Sequence, residues 1–292
     1  GSGLPGEDSS GDVFRIKSVT QLPAINNVNG HPITLDATSQ HDLTGDTNPN
    51  GPEIELDGSD LAGGGATGLF ITGSDIIIRG LTVHSFNATQ IFVPSPATNV
   101  QIVGNYVGTD STGRSGTPNG NFGVAFSGST NSRLGGPNPA DRNVISGNNV
   151  HGVEIAVNSS GIVLQNNYIG VDATGAATLP NGTGVSIVNS SNVSVGADGV
   201  GNVISGNTNG GLWINSGSSL VTVENNFIGT DANGTADLGN GGHGIQTFNI
   251  ATDVTIGGSA DKGNVISGND FSGVALQINT EDVTIAGTMI GV

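Results

Sequence analysis

The hexapeptide Asn-Val-Ile-Ser-Gly-Asn occurs three times in this chain, beginning at Asn143, Asn202 and Asn264. The intervals are 202 − 143 = 59 and 264 − 202 = 62 residues. A second phrase interleaves with it: NYVGTD from Asn105, NYIGVD from Asn167 and NFIGTD from Asn226. Internal repetition at this scale constrains the fold more than any composition does, because each repeat is a unit that buries its apolar face only against its neighbours.

The segments 152–170 and 184–207 show what one unit contains. Each has a Gly, a short alternating run, a polar turn, a second alternating run, another turn, and a third run opening with Asn. Alternation with period two marks half-buried strands, and it places Val153, Ile155, Ile162, Leu164 and Ile169 on one face. Three short strands returning to one starting point make a triangular coil, and two coils make one unit of roughly sixty residues.

The Asn that opens the third run falls at Asn105, Asn143, Asn167, Asn202, Asn226 and Asn264, with Thr288 next. Successive gaps of 38, 24, 35, 24, 38 and 24 alternate long and short. The long gaps hold the insertions TDSTGRSGTPNG, VDATGAATLPNG and TDANGTADLGNG. Coils stacked at the inter-strand spacing of ~4.8 Å would pile these amides into a hydrogen-bonded ladder. Asn also tolerates a left-handed backbone at a sharp corner. The sequence thus predicts an all-β solenoid, a single-stranded parallel β-helix with three short strands per coil.

These phrases resemble those of the right-handed parallel β-helix family, the pectate-lyase-like superfold, and above all the repeat arrays of large bacterial secreted or surface proteins. The likeness covers residues 68–292. It implies a right-handed coil, as does the crossover rule for parallel strands. Residues 12–67, with FRIKSVTQLPAI and PITLDATSQ, read as the entry coil or cap that such arrays need. Residues 1–11 read as a cloning remnant and linker, and the final TMIGV as an array cut short before its next coil.

Composition narrows the partners. Gly is 50 of 292 residues, only 11% are charged, and the net charge is −17 because Lys and Arg total 7. Such a chain repels phosphate backbones, so nucleic acid is excluded as a partner, and acidic polysaccharides are repelled too unless a cation intervenes. No apolar run approaches a membrane span. Cysteine is absent, so no disulfide forms.

Alternation also predicts what faces outward. On the first strand of successive coils these are Phe70, Phe92, Ala125, Glu154, Ser186, Trp213, Gln246 and Ala275, with Asn215 and Phe248 one step along. Trp213, Phe248, Gln246, Glu154 and Phe92 form the expected ligand-binding set, since rings beside amides and a carboxylate on a flat face suit sugar stacking. A second outward column, Tyr106, Val144, Tyr168, Val203, Phe227, Val265 and Met289, should not stand bare in water. The insertions are expected to fold over it, with Leu179 and Leu238 as lids.

The sequence holds no convergent catalytic signature. Glu154 and Glu224 fall on different faces, so they cannot share a sugar as a glycosidase pair must. Polygalacturonase-like enzymes share NTD, GDD, GHG and RIK motifs in that order. Here GHG (Gly242–Gly244) and RIK (Arg15–Lys17) occur in reverse order without the others. Arg79 lies on a strand with no acid cluster expected near it, and the Asp-Pro-His tripeptide of alginate epimerases is absent. His151 and His243 read as turn histidines. Asp110, Asp172 and Asp231 read as turn-starting residues in loops ~10 Å apart, too far to share an ion. No cofactor is expected, apart from weak surface calcium on backbone carbonyls. The expectation is an extracellular or cell-surface scaffold or adhesion module that grips a glycan on its strand face. The alternative is a polysaccharide lyase, epimerase or glycosidase. Further coils or domains are expected in the parent protein.

Overall fold

The computed structural model describes residues 13–40, 42, 45–49, 51–117 and 119–291. The linker expected at 1–11 lies outside the described residues. Among these, strands form three parallel sheets of ten, eight and nine strands, each visited once per coil. The ten-stranded sheet runs from Phe14–Lys17 to Met289–Ile290, the eight-stranded from Leu69–Phe70 to Val274–Leu276, and the nine-stranded from Ile33–Asp36 to Val283–Ala286. The entry region supplies Phe14–Lys17, Ile33–Asp36 and Ile54–Asp57, already paired in register with the coils that follow.

The core is a stack of branched aliphatics. Val153, Ile155, Ile162, Leu164 and Ile169 are fully buried, together with Val185, Ile187, Leu212, Ile214 and Ile228 of neighbouring coils. β-Branched side chains suit this place because they pack well on a pleated surface and repeat directly above one another.

The Asn ladder stands where the spacing put it. Asn143 Nδ2 donates to Asn167 Oδ1 (2.8 Å), Asn167 to Asn202 (2.8 Å), Asn202 to Asn226 (2.9 Å) and Asn226 to Asn264 (2.9 Å). In alternate coils the left-handed backbone at this corner belongs not to the ladder residue but to the one before it, at Gly104, Asn166, Asn225 and Gly287, whereas Arg142 and Gly263 before Asn143 and Asn264 are extended. In those coils the ladder residue is already the first of the next strand direction, and the turn is completed one position earlier.

Every letter of the hexapeptide now has a physical task. The first Asn is a rung of that ladder, Val points outward, and Ile enters the core. Ser146 Oγ donates to Val171 O (2.8 Å) and accepts from Gly170 N (3.1 Å), and Ser205 repeats both bonds two coils later. Gly147, Gly206 and Gly268 take positive φ. The final Asn joins a second ladder that periodicity alone had not shown: Asn148 to Asn181 (2.9 Å), to Asn207 (3.0 Å), to Asn240 (2.9 Å), to Asn269 (2.8 Å). Two of the three corners are therefore built from stacked amides.

Candidate glycan-binding face

The predicted outward column is a true register. Phe70, Phe92, Ala125, Glu154, Ser186, Trp213, Gln246 and Ala275 are successive partners on the eight-stranded sheet. The column is not uniformly open. Ala125 and Ser186 are buried (3% and 2% exposed), because each small side chain lies between bulkier neighbours above and below. Phe92 stacks on Phe70 at 5.7 Å between ring centres, four coils from Trp213 and hence ~19 Å away along the axis. Glu154, Trp213, Gln246 and Phe248 lie together, and Phe92 belongs to a separate aromatic pair.

Trp213 and Phe248 meet edge to face at 6.3 Å, and both are half-buried. Trp213 also meets His151 edge-on at 6.0 Å, while His151 stacks on Phe122 at 5.5 Å. His151 is therefore not a turn residue. It lies in the strand His151–Ala156 with Nε2 3.6 Å from the Glu154 carboxylate. The strict two-residue period hid this pairing, because the alternation slips at Gly152. A Cβ on Gly152 would sit 2.8 Å from Asn181 Nδ2 and 2.9 Å from Ile169 Cγ2, inside the coil. Gly152 and Val153 both turn inward, so His151 and Glu154 emerge on one outer face.

Burial sets the charge state of this pair. Desolvation lowers His151 to about 4, so the imidazole is neutral near pH 7. Burial pushes the Glu154 carboxyl above its ordinary range, partly offset by a hydrogen bond from Ser186. No cation lies on this sheet. Arg15 and Lys17 are on the ten-stranded sheet, Arg79 and Arg133 on the nine-stranded sheet, and Arg114, Arg142 and Lys262 in turns or insertions. Glu224 faces another side and is paired with Lys262 at 3.0 Å.

The apolar column of the ten-stranded sheet is covered by the insertions, as expected. Val144, Tyr168, Val171 and Val203 form a buried cluster against which Ala173, Ala232 and Leu238 pack. Leu238 is a lid; Leu179 is not, and turns toward Gly116 at the base of the preceding insertion. The insertions also touch one another, with Ala173 N donating to Gly113 O (2.9 Å) and Ala232 N to Gly175 O (3.0 Å). They lean along the axis and close the two-coil gap that spacing implied. Each leading Asp serves its own turn: backbone N–H groups of Ala236 and Thr235 hold Asp231 down at about 2, and Asp172 accepts from Thr174, Ala176 and Ala177.

A third cluster, absent from the sequence reading, lies on the first coils. Glu55, Asp57 and His84, all buried, bring their ligand atoms within 4.8 Å of one another. Glu55 accepts from Arg15 (2.7 Å) and contacts His84 Nε2 (2.6 Å), while Lys17 lies 4.0 Å from Asp57. Burial raises the Glu55 carboxyl, but His84 and Arg15 outweigh it and hold the group below the usual range. With two cations already present the carboxylates are compensated without an ion. We read the cluster as a charge staple between coils. The RIK triplet belongs to it, on the ten-stranded sheet, whereas GHG only precedes the strand Ile245–Thr247 of the eight-stranded sheet. Arg79, expected to have no acid cluster near it, pairs with a single carboxylate, Asp36, at 3.0 Å.

Residues 43–228 match the family model of the right-handed β-helix region, well over half the chain. The chain belongs to the right-handed β-helix family. No curated protein matches its sequence. Among solved structures it is similar to the periplasmic alginate epimerase AlgG, at 14% identity and a TM-score of 0.56, covering 93% of this chain and 58% of that one. It is also similar to the A-module of the Azotobacter vinelandii mannuronan C-5 epimerase AlgE4, at 17% identity and a TM-score of 0.52, covering 81% of this chain and 69% of that one. The chain thus spans less than two thirds of AlgG's length, and identities this low establish the shared fold alone. No helix among the described residues is long and apolar enough to cross a membrane.

Proposed function

We propose that this chain is a polysaccharide-binding β-solenoid module that acts outside the cytoplasm and holds a neutral glycan along the outer face of its eight-stranded sheet. The observation that carries this reading is the continuous patch of Trp213, Phe248, Gln246, His151 and Glu154 on a face without a single Lys or Arg. Aromatic rings supply flat apolar area for pyranose faces, and the amide and carboxyl groups between them match hydroxyls. A polyuronate would meet an acidic chain there with no counter-charge. The alginate and mannuronan epimerases that share the fold support a polysaccharide as ligand class, and the periplasmic location of one supports the extracytoplasmic placement.

A second reading, a polysaccharide-modifying enzyme, is favoured by the same fold likeness and by the His151–Glu154 pair. Product analysis on a polysaccharide panel distinguishes the two. For binding, the test is affinity electrophoresis in gels containing neutral glucans, mannans, xylans or alginate. Retardation by a neutral polymer, lost in Trp213→Ala, is expected. Retardation by alginate alone, or full binding by Trp213→Ala, would overturn the proposal.

A further inference from the structure

Among the described residues, ten buried side-chain nitrogen or oxygen atoms lack a hydrogen-bond partner, and three of the ten fall in one small patch. They are His151 Nδ1, Glu154 Oε2 and Thr183 Oγ1. His151, Thr183 and Gly210 are register partners on three successive strands, as are Glu154, Ser186 and Trp213. The two columns make a grid, three coils deep, on the face described above.

Trp213 closes one end of that grid. Its Nε1 lies 2.9 Å from where a Cβ on Gly210 would stand, so the indole lies back over Gly210 in space that only a glycine leaves. The same ring reaches to 6.0 Å from the His151 ring, two coils away. Thr183 lies between Gly210 and His151, so the indole roofs it, and Thr183 is fully buried. An unpartnered buried polar atom costs about 1–3 kcal/mol, and native proteins hold few of them. Thr183 Oγ1 beneath the indole calls for a partner, with His151 Nδ1 and Glu154 Oε2 on the neighbouring strand of the same face.

We infer that His151, Glu154 and Thr183 form a hydroxyl-binding subsite for a neutral pyranose, uncovered when the Trp213 indole turns off Gly210 to stack on the sugar ring. The inference rests on the glycan-binding reading and names the polar half of that site. Imidazole nitrogen, carboxyl oxygen and hydroxyl together offer both donors and acceptors, which is what vicinal sugar hydroxyls require. The neutral imidazole and the upward-shifted carboxyl fit an uncharged ligand. The indole moves at small cost, because Nε1 holds no hydrogen bond that leaving Gly210 would break, and the stacked sugar replaces its contacts.

Trp213 is the single tryptophan, so its emission reports the roof directly. Cellohexaose, mannohexaose and xylohexaose are titrated into the protein with an alginate hexasaccharide as the acidic control. One of the neutral sugars is expected to shift the emission. Thr183→Val should then bind that sugar about 5–10-fold more weakly, the worth of one hydrogen bond. Its unliganded melting temperature should rise, because an unpartnered hydroxyl has been removed. Gly210→Ala, which presses the indole outward, should red-shift emission without any sugar. If a neutral sugar binds and Thr183→Val binds it equally well, the subsite is wrong while the face remains a glycan site. If no neutral sugar binds the unaltered protein, both fall. A lower melting temperature in Thr183→Val would show the hydroxyl to be partnered and would overturn the subsite alone.

Discussion

Asn202, a buried rung of the first ladder, is satisfied by the coils above and below it. Asn202 Oδ1 accepts from Asn167 N (3.0 Å) and Asn167 Nδ2, while its own Nδ2 donates to Leu164 O (3.0 Å) and Asn226 Oδ1. Asn202→Ala therefore orphans groups on both neighbouring coils. Each costs about 1–3 kcal/mol, so a loss of ~3 kcal/mol or more is expected in chemical denaturation. The first ladder was legible because its Asn recurs at fixed offsets, whereas Asn181 and Asn240 of the second sit in insertions whose lengths break the count. His151 was misread for a related reason: at Gly152 the backbone departs from the two-residue period on which the reading relied. It also carries a pH prediction. Its pKa falls from 6.5 to about 4 on folding, so between those values the unfolded chain binds more protons and stability drops as pH falls. His151→Gln should flatten that decline in melting temperature between pH 6.5 and 4. Glu154, shifted upward, has the opposite sign: its contribution is present below 4.5 and lost as pH rises through its folded value. Glu154→Gln should accordingly raise the melting temperature at pH 7 by a few degrees, about 1 kcal/mol for relief of a poorly solvated carboxylate.

At the scale of elements, strands and insertions divide the work. Strand pairs such as Val144–Ile145 on Tyr168–Ile169 are two residues long, and each presents one residue to the core and one to the outer ridge. That ridge stays out of water only because the insertions lie over it, from Ala173 beside Tyr106 to Ala232 and Leu238 near Phe227. Where cover ends, exposure begins: Val203 is 4% exposed and Met289 54%. Replacing the insertion segment 173–178 by a short Gly-Ser turn should leave the sheets intact in far-ultraviolet circular dichroism. It should also expose Tyr168 and Val203, seen as a severalfold rise in binding of a hydrophobic dye. The outward column and the need for a cover were legible in the apolar period. Which leucine serves as lid was not, because the lean of one insertion onto the next comes from backbone bonds such as Ala173 N to Gly113 O, which no side chain announces.

The whole molecule is a stiff rod whose ten-stranded sheet spans roughly 45 Å along the axis, with the buried Glu55–Asp57–His84 cluster at one end and the aromatic patch farther along. The staple of Arg15, Glu55 and His84 ties the first coils across sequence separations that gave no sign of it, since Glu55 and His84 meet only when one coil lies on the next. Arg15→Ala takes away a cation that compensates the buried Glu55 carboxylate, so it should cost about 3 kcal/mol, seen as faster amide exchange in residues 14–17 and 54–57 than in the later coils. The patch around Trp213 gives the rod its purpose in the account above. Hydroxyl-radical footprinting with a bound neutral oligosaccharide tests that claim most directly. The account predicts that Trp213 and Phe248 become protected while Met289 and Leu220, on the other two sheets, keep their reactivity. Protection of Met289 or Leu220 with Trp213 unchanged would contradict it.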